Sequence, residues 1–137
     1  MEKTEIKLEK GLNEEVIKKI SSLKREPEWM TLFRLKAYEA FTKLPMPNFG
    51  PKLDIDFDSI HYYKRINDKV FNNWDSVRCD VKNTFDDIGI ISAEKEYLGG
   101  VTTQFESEVI YHNMLKELID KNVIFCDTDT ALKEHPE

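Results

Sequence analysis

The segment Leu44 to Lys52, LPMPNFGPK, sets the tightest local limit on this chain. It packs three prolines and a glycine into nine positions. Proline lacks an amide hydrogen and restricts the residue before it, so neither a helix nor a central strand runs through such a segment. It must be a turn or an extended connector. Regular structure therefore has to be found on either side of it.

Before the connector, two helices are expected. Asn13 caps a first helix reaching about Lys24, with Val16, Ile17, Ile20 and Leu23 on its apolar side. Pro27 then suits the first turn of a second helix to Leu44, flanked by Glu26 and Glu28 at the positive end of its dipole. Trp29, Phe33, Ala37, Ala40, Phe41 and Leu44 line one side, and Met30, Leu32, Leu35 and Tyr38 widen the stripe. Such a helix is expected to be the main core element, because aromatic stripes usually pack inward. Its competing use is a surface for a partner. Residues 1–12 are polar and expected to fray.

After the connector, Asp54, Asp56 and Asp58 suggest a calcium loop, but Ser59 stands where glycine is needed and Arg65 where glutamate is needed. The alternation of Ile55 and Phe57 against the aspartates fits a short edge strand. Residues 64–73 read as a loop. Asp75 or Ser76 caps a helix to about Asp87, with Val77, Val81, Phe85 and Ile88 on one face and Gly89 after its end. Ser92 opens a short helix, AEKEYL, closed by Gly99 and Gly100. From Ser107 to Asn122 the spacing of Val109, Met114, Leu115, Leu118 and Ile119 predicts an amphipathic helix. Val123 to Cys126 reads as one buried strand, and Thr128 or Asp129 caps a last helical turn stopped by Pro136. The expected fold class is mainly α, α+β at most: a small helical domain over residues 13–137 with one or two short strands.

Charge narrows the function. The net charge is −6, so the chain is a poor non-specific binder of nucleic acid or anionic membranes. No run of about 18 apolar residues occurs. The charged stretch MEKTEIKLEKGLNEE has no apolar centre and does not read as a signal peptide. Cys79 and Cys126 are far apart, which is no disulfide framework and fits a reducing cytoplasm.

Catalytic signatures are missing. There is no G-x-S-x-G elbow and no phosphate-binding G-x-x-x-x-G-K-[ST] loop. Glu106 and Glu108 read as acidic residues at a helix start. Cys126, beside Asp127 and Asp129, and His112, between Tyr111 and Asn113, are the candidates for metal ligation. No C-x-x-C pair accompanies Cys126, and a lone buried cysteine usually behaves as a small hydrophobe. Cys79, near Arg78 and Lys82, and His61 and His135 carry still weaker signals.

Several long words carry a resemblance: EPEWMTLFRLKAYEAFTKLPMPNFGP, KNTFDDIGIISAEKEYLGG, GGVTTQFESEVIYHN and VIFCDTDTALKEHPE. They resemble the N-terminal region of the SufB family, the scaffold subunit of the SUF iron–sulfur cluster assembly system. YHN and FCDTDTA favour SufB over the related SufD. The resemblance covers roughly Ile20 to Glu137. It implies that the β-helix core, with the family's sulfur-transfer and cluster-assembly residues, lies beyond this region, and that the chain looks like an N-terminal fragment or truncated homologue. It implies no catalytic residue, no metal ligand and no cofactor here, an iron–sulfur cluster on the full-length scaffold, and no enzymatic activity. The implied partners are a SufC-like ATPase, a SufD-like subunit and a sulfur donor, in the cytoplasm. Trp29, Phe33, Tyr62, Tyr63 and Trp74 are the candidates for partner contact. The alternative reading is a metal-binding or redox module using Cys126 and His112, or a free-standing helical interaction module.

Overall fold

The computed structural model describes residues 5–67, 69–89 and 98–136. Along the chain these form β1 (Ile6–Lys7), α1 (Glu14–Lys24), α2 (Glu28–Lys43), β2 (Lys64–Arg65), α3 (Cys79–Asp87), β3 (Gly100–Phe105), β4 (Glu108–Met114), α4 (Lys116–Ile119) and α5 (Thr128–Glu134). Single 3-10 turns cover Phe57–Ser59 and Trp74–Ser76. The short helix expected after Ser92 falls outside the described residues.

α1 forms as its sequence dictates. Asn13 accepts a hydrogen bond from the Val16 amide at 2.9 Å, satisfying a first-turn donor. Val16, Ile17 and Ser21 make the buried face. The helix ends at Arg25, whose φ of 55° turns the chain sharply. The Glu26 amide then donates back to the Ser21 carbonyl at 3.0 Å. α2 leaves that corner with Pro27 at its cap position.

α2 is not the core element its composition predicts. None of its residues is buried, and Trp29, Leu32 and Phe33 are 54, 60 and 62% exposed. The physical reason lies in its pattern. Apolar residues surround the helix, and α1 covers only one side of it, with Phe41 also meeting the Phe57 ring edge-on at 5.4 Å.

The second correction concerns residues 100–114. The helix expected over residues 107–122 is instead β4 followed by the single turn of α4, and β4 pairs antiparallel with β3. Thr102 faces His112 and Phe105 faces Glu108 in the register, with a bulge between Thr103 and Gln104. Val101, Thr102 and Thr103 on β3, and Val109, Ile110 and Tyr111 on β4, are branched and aromatic residues that suit a pleated surface. Glu106 and Ser107 supply a two-residue turn, with Glu106 at φ 56°. The apparent helical spacing was assembled from two different elements. With this hairpin and the smaller β1–β2 ladder, where Ile6 pairs with Arg65, the domain is a mixed α+β fold rather than a mainly helical one.

The core sits on the hairpin. Ile66, Val77, Val81, Ile110 and Tyr111 are buried together, with Phe71, Trp74, Phe85, Val101 and Phe105 packed around them. Trp74 meets Tyr111 and Phe85 edge-on at 5.3 and 5.7 Å. Phe71 extends the pairing along β4: its amide donates to the Ile110 carbonyl and its carbonyl accepts from the His112 amide, each at 2.9 Å. α3 presents Val81 inward, as its spacing predicts, but starts at Cys79, behind the 3-10 turn at Trp74–Ser76. Ile88, expected on the same face, is 68% exposed.

Two extended expectations also change. Asp56 accepts from the Asp58 amide and opens a 3-10 turn where an edge strand was expected. Val123 to Cys126 forms no strand, and Val123, Ile124 and Phe125 are exposed. Phe125 turns back onto β3. A Cβ added at Gly100 would lie 2.6 Å from its ring, so the glycine makes room for the close approach.

Candidate functional site

A polar concavity lies where the end of α1 meets the β3–β4 hairpin and the start of α5. It encloses about 570 Å³ between Lys24, Arg34, Gln104, Cys126, Asp127 and Asp129, among others. Lys24 projects from the last turn of α1, with its side chain only 14% exposed. Its ammonium pairs with Asp129 of α5 and lies 3.5 Å from Glu108 of β4. Glu108 also accepts a hydrogen bond, at 2.5 Å, from the hydroxyl of fully buried Tyr63. Burial and the Glu108 carboxylate together push the Tyr63 phenol far above its ordinary range, so it acts as a donor. One cation thus joins three elements.

A second ion pair fixes the α1–α2 corner. The Arg34 guanidinium donates to both Glu26 oxygens, at 2.8 and 2.5 Å, while Ser21 donates its hydroxyl at 2.7 Å. The Glu26 side chain is 1% exposed. Burial alone would raise its carboxyl, but Arg34, Ser21 and Lys24 outweigh that and hold it below the usual carboxylate range. The same bond to Glu26 raises Arg34. At α5, Asp127 caps the helix by accepting from the Thr130 amide at 3.0 Å and hydroxyl at 2.7 Å. Burial works against its ionised form, and these bonds more than compensate, so its carboxyl is also lowered.

Cys126 lines this concavity as a half-buried free thiol. His112 sits on β4, not on a helix. Its Nδ1 lies 2.8 Å from the Thr102 hydroxyl, and its ring lies 5.4 Å from that of Phe125. Among the described residues, no group of three or more His, Cys, Asp or Glu side chains is placed to hold a metal ion.

The partner-contact candidates divide. Trp29 and Phe33 are exposed on α2, and Tyr62 is half-buried. Tyr63 is buried in the ionic network, and Trp74 packs on the core. Phe33 and Tyr62 join Ile17, Ile20, Met30 and Phe41 along an apolar groove of about 490 Å³ between α1 and α2.

Sequence reasoning missed the ionic network. Lys24 and Asp129 are 105 residues apart, so no local spacing links them, and Glu26 and Arg34 are 8 apart across a helix boundary, outside the 3 or 4 of a helical pair.

No family model matches the chain. No solved structure matches it either. It is 51% identical over 130 residues, 94% of its length, to an iron-sulfur cluster assembly SufBD family protein of Staphylococcus saprophyticus. Proteins of the same description from Staphylococcus haemolyticus and Staphylococcus aureus match over the same length at 51 and 50% identity. The chain spans 28% of the length of each of these relatives. Over nearly all of its own length, then, this chain is a homologue of iron–sulfur cluster assembly SufBD family proteins.

Proposed function

We propose that this chain is the N-terminal region of a SufB-type scaffold and that it works as a structural and partner-docking domain in iron–sulfur cluster assembly. In this reading it acts within a complex of SufB, SufC and SufD type subunits in the cytoplasm. It performs no catalysis itself. The iron–sulfur cluster is the cargo of the full-length scaffold, and a sulfur donor protein is a further visitor.

The observation that carries the reading is the unburied apolar surface of α2. A helix bearing Trp29, Leu32 and Phe33 at more than half exposure leaves a patch of the kind that marks protein contact. The apolar run Val123–Phe125 adds a second such surface. The arrangement of the polar side chains agrees. Lys24, Glu26, Arg34, Glu108 and Asp129 satisfy one another, which suits rigid support more than proton transfer.

Co-purification of the chain with SufD-type and SufC-type subunits tests the reading. Association is expected, and Trp29→Glu together with Phe33→Asp should abolish it while the circular dichroism spectrum stays unchanged. Association that ignores both substitutions, or no association with either subunit, overturns the docking role.

A further inference from the structure

A second cavity, of about 350 Å³, opens on the other side of the Lys24 network. Its walls include Arg25 at the end of α1, Arg65 of β2, Glu108 of β4, and Asp127, Asp129 and Lys133 at α5. Its charges do not balance. Lys24 is engaged by Asp129 and Glu108, Glu108 also serves Tyr63, and Asp127 is spent on capping α5. The remaining cations have no such partners: among the described residues, Arg25, Arg65 and Lys133 hold no side-chain hydrogen bond or ion pair. The Nε of Arg65 is buried and has no acceptor. A buried guanidinium donor without an acceptor is costly, and native structures rarely leave one so. The lining as a whole holds four cations against three carboxylates, so in a chain of net charge −6 it is a local reversal of sign.

We infer that this cavity binds a small phosphate-type oxyanion, with Arg65 as the buried donor and Arg25 and Lys133 as the exposed cations that close over it. Arg65 supplies the planar donor set that matches a tetrahedral oxyanion in two-point fashion. Lysine contributes as a point charge. Arg25 is held at the cavity by its left-handed backbone, which also reverses the chain into α2. The site is independent of the α2 docking surface.

Isothermal titration with inorganic phosphate, at ionic strength held constant with sodium chloride, tests the assignment. One saturable site is expected. Arg65→Gln should weaken it by about tenfold or more, the loss expected for a charge-assisted pair. Arg25→Asn keeps a residue that tolerates the left-handed backbone, and Lys133→Gln changes an exposed position. Each should weaken binding by several fold without altering the fold, so they decide the matter if Arg65→Gln does not fold. Lys43→Gln, on α2 and paired with Glu39, should change nothing. Glycerol 3-phosphate separates the sources: tighter binding than inorganic phosphate assigns an ester ligand, and equal or weaker binding assigns the free ion. Heat no greater than that of chloride, or wild-type affinity in Arg25→Asn and Lys133→Gln, overturns the site.

Discussion

Replacing Glu26 with glutamine isolates the ion pair at the α1–α2 corner with almost no change of shape. The carboxylate is nearly inaccessible, is held by two bonds from Arg34, and accepts a third from Ser21. At an effective dielectric constant of about 20, two unit charges about 4 Å apart attract by roughly 4 kcal/mol. Desolvation of the carboxylate cancels much of that, and the guanidinium is 37% exposed, which screens the pair further. A net loss of about 2 kcal/mol at pH 7 is expected, near the value of a hydrogen bond to a charged group. The pH dependence is the sharper signature. The folded carboxyl titrates below its unfolded value, so over that interval the unfolded state binds more protons and stability rises with pH. The stabilisation is complete above about pH 4.5 and is lost as the pH falls through the lower, folded value. Glutamine does not titrate. Urea unfolding of both proteins between about pH 7 and pH 3 should therefore show a gap of about 2 kcal/mol that closes in acid. Asp127 titrates in the same direction, but it is present in both proteins and cancels. A gap that stays constant with pH, or no gap at neutral pH, would refute the reasoning.

Ile110→Ala, in the centre of the hairpin core at 2% exposure, should cost about 2–5 kcal/mol by chemical denaturation, whereas Ile88→Ala, at 68% exposure, should cost under about 0.5 kcal/mol. Asn13→Ala removes the cap of α1 and should cost about 1 kcal/mol in the same assay. Gly100→Ala forces a methyl group against the Phe125 ring and should destabilise by about 1–3 kcal/mol. Adding Phe125→Ala should recover part of that loss, and strictly additive stabilities in the double-mutant cycle would show that the two residues do not touch.

What could be read in the sequence was what neighbours decide among themselves. Asn13, Pro27 and Gly89 announce helix ends through capping and backbone chemistry, and each stands where its chemistry predicts. Val81 and Phe85 declare the inward face of α3 by spacing. Residues 107–119 misled because Val109 belongs to a strand and Leu118 to a helix, so their separation had no helical meaning. The branched residues on both sides of Glu106-Ser107 were the signal that could have found the hairpin. α2 misled for a different reason. Its apolar stripe is genuine, but periodicity reports which side chains avoid water, not whether this stretch of chain supplies their cover. The Lys24 network was invisible because its members come from α1, β4 and α5.

The two-residue ladder between β1 and β2 has a kinetic consequence. Ile6–Lys7 pairs with Lys64–Arg65, so α1, α2 and the proline-rich connector all lie inside one loop that the ladder closes. Closing a loop of that length costs entropy before its few hydrogen bonds return anything, so the ladder forms late, after the helices it encloses. By the same logic it opens early. The N-terminal strand is where a protease should first gain entry, releasing the helical pair while the hairpin core on Ile110 and Tyr111 stays closed.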